Sequence, residues 1–328
     1  MCIRDRGYVY LELGDFLQAE AALEAYLLHA ERLVDSDPEN PEWLMELSYA
    51  HSNLAALINS RGTDDVDQAI FHIEAAAGFN QQAMQLAPEN TAFLGEYGEV
   101  LAWLADTRLL ACDLGGALQS RQQQEAIARR QSEQSPGNIN LKRRHAFALT
   151  GLSTVAEQVG LVDLAIRNYR HSEKILAQLS MVEPSNLDFR FEYLMRTVWI
   201  ARLEAESGGL NEALERMALS KEPLNRVLEM ESHENVRRFV YWIEYLLDWS
   251  ELSWMAGQPD AAAALLTEAV TDLEKLMARE NGWDALAEQI LLARFLYWQQ
   301  RGADLFDTAR FSAIRYDENG NYLSCHAQ

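Results

Sequence analysis

The chain contains few of the residues that interrupt regular structure. Its 328 residues include only seven prolines and 17 glycines, which excludes collagen-like and low-complexity disordered structure. Runs of β-branched residues are scarce, and Ala, Leu, Glu, Gln and Arg fill most windows, so helix is the predicted secondary structure. Residues of the hydrophobic types make up 48% of the chain, which is enough to build a large core.

Cysteine and long apolar runs are also rare. Cys2, Cys112 and Cys325 are scattered and form no CxxC pair, which predicts neither a disulfide framework nor a cysteine-based zinc site. No stretch has the roughly 18 uninterrupted apolar residues of a membrane-spanning helix. The first residues lack the apolar stretch of a signal peptide. These absences together predict a cytoplasmic protein.

Positive charge is in the minority. The chain has 28 Lys and Arg against 50 Asp and Glu, a net charge of −22, and a pI near 4.7. A surface this acidic repels nucleic acid and anionic lipid, so neither is an expected partner. The charge favours a basic protein or peptide as partner, although solubility alone also accounts for it.

Known catalytic motifs are missing as well. The sequence has no GxxxxGK[ST], GxGxxG, HExxH or GxSxG, and its seven histidines fall in separate helices or loops. His233, beside Glu231 and Glu234, has too few ligands for a structural metal site, and the polar stretch 317–321 departs from the EF-hand pattern. The sequence therefore predicts no enzyme, no metal site and no cofactor.

What the chain does contain is an internal repeat of about 48 residues. One signature is a polar loop with an asparagine, and the asparagines are Asn40, Asn90, Asn138 and Asn186, continued without proline by Asn235 and Asn281. The second signature is a glycine followed by four residues and an alanine, and the alanines are Ala19, Ala69, Ala117, Ala165, Ala213 and Ala262. Two repeat units differ from this pattern. One has Cys112 in place of the glycine, and in the other Gly62 precedes Ala69 by seven residues instead of five.

The two signatures divide each period into two segments of helical composition. A segment of about 20 residues makes a helix roughly 30 Å long. Proline cannot continue a helix, asparagine caps the N-terminus of the next one, and glycine suits the left-handed residue that ends a helix. A small alanine early in the second helix lets the two helices of a hairpin approach closely.

These residues resemble the tetratricopeptide-repeat (TPR) family. The first unit carries Gly7, Tyr10, Gly14, Ala19 and Leu23 at the spacing of the family pattern, and later units carry it in degenerate form. The usual period is about 34 residues, so this chain is more similar to the long-helix TPR arrays of bacterial multidomain signalling proteins. The resemblance implies an all-α fold, a right-handed α-solenoid of six to seven antiparallel helix hairpins.

The resemblance also implies one repeat domain over residues 1–328. Its units are expected at 7–39, 40–89, 90–137, 138–185, 186–234 and 235–281, with a partial unit at 282–328. The first unit has a short first helix and the C-terminus has no polar cap. We therefore expect the chain to be a fragment of a longer protein.

In TPR arrays the first helices of successive units line a concave surface. The corresponding positions here are Tyr49, Ser52, Asn59, Glu99, Asp106, Thr150, Thr154, Glu157, Arg202, Glu206, Glu244, Glu251 and Trp254. The set is mixed and rather acidic, and it lacks the Lys/Asn-rich clamp that some TPRs use for a C-terminal carboxylate. It predicts a groove for an extended or helical protein segment of basic character.

A local basic cluster runs against the overall charge. Its members are Arg129, Arg130, Lys142, Arg143 and Arg144. Three of these cations lie near a predicted helix N-terminus, where the helix dipole disfavours them. The cluster is a candidate contact for an anionic group, and a solvated loop rim is the alternative.

The predicted function is an interaction scaffold or sensor module that binds a peptide or protein segment in the concave groove. The alternative is the regulatory region of a multidomain enzyme or transcription regulator, whose kinase, TIR or winged-helix effector is absent from this chain. A third interpretation, a helical enzyme with its site in the groove, has no motif in its favour.

Overall fold

The computed structural model describes residues 3–61, 65–230 and 236–277. Within these ranges the chain forms twelve helices and no strand, which confirms the all-α repeat array. The helices are α1 (Ile3–Glu12), α2 (Phe16–Ser36), α3 (Pro41–Arg61), α4 (Val66–Leu86), α5 (Thr91–Leu110), α6 (Leu114–Gln134), α7 (Ile139–Gln158), α8 (Val162–Val182), α9 (Leu187–Glu206), α10 (Leu210–Met230), α11 (Val236–Met255) and α12 (Pro259–Met277).

The helices belong to two compact units, one ending at Leu161 and the other beginning at Val162. In the first unit, α1 to α7 each pack against the next helix along the chain, and α3 also contacts α1 and α5. In the second unit, α8 to α12 pack in the same way, and α9 also contacts α11. A continuous core of the second unit includes Met217, Trp242 and Tyr245.

The hairpin turns use a left-handed residue where the sequence predicts one. Gly14, Gly160, Gly208 and Gly257 have φ of 71°, 76°, 98° and 71°. Glycine adopts this conformation without steric cost. Cys112 takes the same place in the third hairpin at φ 57°.

The loop asparagines cap the first helix of the following hairpin. The Oδ1 atoms of Asn90, Asn138 and Asn186 accept hydrogen bonds from backbone N–H groups in the first turns of α5, α7 and α9. Asn40 does the same for α3. Each cap satisfies a backbone donor that the helix itself leaves without a partner.

The repeated alanines lie in the core of the fold. They are among its most buried residues, with 0% exposure for Ala19, Ala69, Ala117, Ala165 and Ala213 and 2% for Ala262. Their burial agrees with the small packing residue that the sequence predicts early in each second helix.

Some sequence predictions lie outside the described residues. These are Gly62, His233, Asn235, Asn281, the polar stretch 317–321 and the partial unit at 282–328. Among the described helices, none is both long and apolar enough to cross a membrane. In the same ranges, no group of three or more His, Cys, Asp or Glu side chains is arranged to hold a metal ion.

Two histidines from separate helices meet in the second hairpin. Nδ1 of His51 on α3 lies 2.9 Å from Nδ1 of His72 on α4. The His51 ring also stacks on Phe79, with ring centroids 5.5 Å apart. A hydrogen bond between two Nδ1 atoms needs one neutral imidazole as acceptor. Burial, and then the nearby His72, lowers the pKa of His51 to about 4, and burial also lowers the pKa of His72.

The histidine pair predicts a loss of stability in mild acid. Because the folded-state pKa of His51 lies below its unfolded value near 6.5, the stabilisation is complete above pH 6.5 and falls as the pH drops towards 4. We expect the free energy of unfolding to decrease by about 1–2 kcal/mol more between pH 7.5 and 5 in the wild type than in His51→Phe. Urea unfolding at both pH values measures this. Equal pH dependence in the two proteins would contradict it.

The packing alanines predict a second stability effect. Ala213→Leu places a large side chain between α9 and α10, where no space exists, so we expect the free energy of unfolding to fall by about 1–3 kcal/mol. Ala218→Leu on the exposed face of α10 is the matched control and should leave stability nearly unchanged. Thermal and urea unfolding compare the variants, and a wild-type curve for Ala213→Leu would count against the hairpin packing.

Candidate functional site

The repeat provides an internal standard for each position of the core. Four residues after the packing alanine, four hairpins carry a buried apolar or aromatic side chain, namely Leu23, Ile73, Tyr169 and Met217. The third hairpin carries Arg121 at this position, with only 13% of the side chain exposed. An arginine in a core position costs stability unless its charge and N–H groups are compensated. A departure of this kind from the local pattern marks a candidate functional region.

The other buried positions of α6 are also small or polar. Its buried residues are two alanines and the polar Ser120 and Gln124. Glu125, on the same helix, lies with Oε1 3.1 Å from Nε2 of the buried His145 on α7. The layer between α5, α6 and α7 therefore combines a small apolar cluster, Ala105, Ala117 and Val155, with buried polar contacts.

Arg121 connects α5 to α7 from its position on α6. Its Nη2 lies 2.5 Å from Oδ1 of Asp106 on α5, and its Nη1 donates to Oε1 of Gln124 at 2.8 Å. A Cβ atom added at Gly151 on α7 would lie 2.7 Å from Nη1. Glycine at this point of α7 is what leaves room for the guanidinium. Among the described residues, Nε of Arg121 has no hydrogen-bond partner.

A second bridge joins α5 and α7 two helical turns away. Nε of Arg144 lies 4.0 Å from Oε1 of Glu99. Along both helices the Glu99–Arg144 contact comes first and the Asp106–Arg121–Gly151 contact follows seven residues later. The two helices therefore run in the same direction, side by side, across this part of the first unit.

Two exposed aromatic side chains lie between the bridges. Trp103 follows Glu99 by four residues and Phe147 follows Arg144 by three, which places both one turn beyond the first bridge. Trp103 is 42% exposed and Phe147 is 40% exposed. We call the set Glu99, Trp103, Asp106, Arg144 and Phe147 the α5–α7 surface.

Arginine side chains lie close to an aromatic ring and to carboxylates of this surface, and these contacts determine its electrostatics. The guanidinium carbon of Arg143 lies 5.1 Å from the centroid of the Phe147 ring, an attractive cation–π distance. Burial raises the pKa of Asp106, and Arg121 opposes that shift. The Asp106 side chain remains 59% exposed, so water limits the rise in its pKa.

The residues predicted to line the groove lie on the first helices of successive hairpins, in both compact units. Those of the first unit lie on α3, α5 and α7: Tyr49, Ser52, Asn59, Thr150 and Glu157 are half-buried, while Glu99, Asp106 and Thr154 are exposed. Nδ2 of Asn59 donates to Oγ1 of Thr107 on α5 at 2.9 Å, so this asparagine links two first helices. The structure brings Glu99 and Asp106 together on one stripe of α5, beside Trp103.

The other predicted groove residues belong to the second unit. Arg202 and Glu206 lie on α9, and Glu244, Glu251 and Trp254 lie on α11; Glu206 is exposed and the other four are half-buried. Nearby on α9, the guanidinium carbon of Arg196 lies 4.3 Å from the Trp199 ring centroid. Burial lowers the pKa of Arg196 to about 10.

The predicted basic cluster has partners within the first unit. Arg129 lies 3.7 Å from Glu125, Arg143 covers Phe147, and Arg144 faces Glu99. Arg130 is exposed and Lys142 is half-buried. The cluster therefore adjoins the α5–α7 surface and is not an isolated patch, and its contact with an anion stays a prediction.

Sequence reasoning missed Arg121, Trp103 and Phe147. A signal for Arg121 was present, because aligning the six units places it with leucine, isoleucine, tyrosine and methionine. Trp103 lies on the same face of α5 as Glu99 and Asp106, at helical spacing between them. Both of those residues were predicted to line the groove, whereas Trp103 was not. Phe147 precedes Thr150 by three residues and Thr154 by seven, so it lies at helical spacing from both.

Comparisons with known proteins agree with this architecture. No protein-family model and no curated protein matches the chain. The solved structure of BtubC (BKLC) from P. vanneervenii is 15% identical, with a TM-score of 0.59, over 80% of this chain and 92% of that one. A Rap protein complexed with competence and sporulation factor is 11% identical, with a TM-score of 0.51, over 89% and 79%.

A third similar structure is the Rap conjugation gene regulator of plasmid pLS20 in complex with the Phr* peptide. It is 12% identical, with a TM-score of 0.50, over 80% of this chain and 62% of that one. Similarity at these low identities concerns the fold alone. The chain has a TPR-like helical repeat fold.

The unusual core of the third hairpin predicts a mutation that does not weaken the fold. Arg121→Met installs the residue that Met217 provides in the fifth hairpin and leaves Asp106 in contact with water. We expect the free energy of unfolding to change by less than about 1 kcal/mol, because exposed ion pairs contribute little and water can solvate the Asp106 carboxylate once Arg121 is removed. Urea unfolding measures it. A loss above about 2 kcal/mol would show that Arg121 is a major contributor to the stability of the third hairpin.

Proposed function

We propose that this chain is a protein-interaction scaffold. It binds a peptide or protein segment on the face formed by α3, α5 and α7 in the first compact unit, centred on the α5–α7 surface. The observation that carries the proposal is the pair of exposed aromatic side chains, Trp103 and Phe147, held at one level between two bridges. In the same hairpin as Trp103, Arg121 takes a core position that other hairpins fill with a large apolar residue. The face continues onto α3 with Tyr49, Ser52 and Asn59.

The energetics of such a surface favour protein binding. Tryptophan and arginine are the residues that most often dominate binding energy in protein interfaces. Burying exposed aromatic area contributes on the order of 25 cal/mol per Å². Trp103 and Phe147 are carried by regular helices, so their backbone is already ordered before a ligand binds.

The similar structures support a peptide ligand. One Rap protein was solved with competence and sporulation factor and another with the Phr* peptide. By analogy, we propose that this TPR-like array also binds a peptide or protein segment and is not an enzyme. The groove residues of the second unit, from Arg202 to Trp254, are proposed as a further contact region for the same class of ligand.

A regulatory role within a larger protein is the second candidate. It is favoured by the similarity to a Rap protein described as a conjugation gene regulator. In that case the same surface would respond to a ligand, and an effector region outside this chain would act. The sequence of the complete gene distinguishes the two candidates, since a kinase, TIR or winged-helix motif would support regulation.

The α5–α7 surface predicts a mutational pattern in binding. Wild-type protein, used to select from a library of random peptides of about twelve residues, should retain binders whose affinity falls at least tenfold in Trp103→Ala and Phe147→Ala, because each variant removes a central apolar contact. Leu219→Ala, at a leucine that is 70% exposed on α10 of the other unit, is the control and should bind normally. Fluorescence anisotropy with recovered peptides gives the affinities. Peptides that bind all three variants equally would place the site elsewhere.

A further inference from the structure

Charge is distributed unevenly along this acidic chain. Residues 103–144 contain seven of the 28 cations and only four of the 50 acids, a local net charge of +3 in a protein of net charge −22. The cations are Arg108, Arg121, Arg129, Arg130, Lys142, Arg143 and Arg144. The segment runs from Trp103 to the first turns of α7, so it includes much of the α5–α7 surface.

The acids in and beside this surface already have cationic neighbours. Glu99 faces Arg144, Asp106 binds Arg121, and Glu125 lies near Arg129. A basic ligand would have to compete with these arginines for each carboxylate. The local charge of this face therefore differs in sign from the overall charge of the chain.

Arg144 retains capacity for a further carboxylate. Its Nε is 4.0 Å from Glu99, which is beyond hydrogen-bonding distance, and half of its side chain is exposed. Arginine binds carboxylates through two parallel N–H groups, so an incoming acid can add to the existing contacts without displacing them.

Resting on the proposed function, we propose that the α5–α7 surface selects an acidic protein segment that also carries an aromatic or large aliphatic side chain. The apolar side chain packs against Trp103 and Phe147, and the carboxylates meet the arginines at the start of α7. At physiological ionic strength charges more than about 8 Å away are largely screened, so the local arginines outweigh the distant acids.

A selection experiment tests the ligand chemistry. Peptides recovered from the random library by the wild-type chain should be enriched in Asp and Glu next to aromatic or large aliphatic residues. Changing the acids of a recovered peptide to their amides should weaken binding at least tenfold, and raising the salt concentration should weaken it further. Enrichment in Lys and Arg, or amide peptides that bind as well as the acidic ones, would overturn the inference and leave the proposed function intact.

Charge reversal on the protein gives an independent readout. Arg143→Glu/Arg144→Glu should lose the acidic peptides at least tenfold and gain affinity for matched peptides with lysine in place of each acid. Arg216→Glu/Arg226→Glu on α10 makes the same change in net charge in the second unit and should bind as the wild type does. Arg144→Gln repeats the test if the double variant fails to fold. Failure to recover any peptide that depends on Trp103 would remove the proposed function, and this inference with it.

Discussion

The burial of one small residue early in each second helix is the constraint on which this structure depends. Six alanines at near-constant spacing are buried completely or almost so, and none of these positions has room for a larger side chain without repacking. Neither helix of a pair can bury its apolar residues alone, so every pair packs against the one before or after it within its unit. The glycine turns and asparagine caps serve this arrangement, since they end each helix at the residue where the next pairing must begin.

The sequence was most informative where structure is set locally and repeated. The left-handed residues at Gly14 and Cys112, the caps at Asn90 and Asn138 and the buried alanines all follow from residue type and spacing, because each depends on only a few neighbouring residues. The His51–His72 pair could not be predicted, since it depends on the rotation of α3 against α4. The same reason applies to Glu99 and Arg144, which are 45 residues apart and meet only because α5 and α7 lie side by side.

In the third hairpin, a repeat position that is part of the apolar core elsewhere has a polar role. At the place where Met217 fills the core of one hairpin, Arg121 reaches between two helices and binds a carboxylate at the surface. A buried arginine contributes less to stability than a well-packed apolar side chain, but it fixes polar groups in defined directions. Such an exchange is tolerated in an array because neighbouring hairpins supply the missing apolar burial, and it places the candidate site in the part of the chain that contributes least to the core.

The distribution of large buried side chains has a consequence for motion. The buried residues of α6 are two alanines, a serine and a glutamine, whereas those of α10 include Met217, Leu224 and Leu228. Amide hydrogens of α6 should therefore exchange with solvent through local opening at lower free energy than those of α10, whose core residues include Met217 and Leu224. A segment that closes over α5 and α7 would slow this exchange, which makes the third hairpin the part of the array whose dynamics respond most strongly to a bound partner.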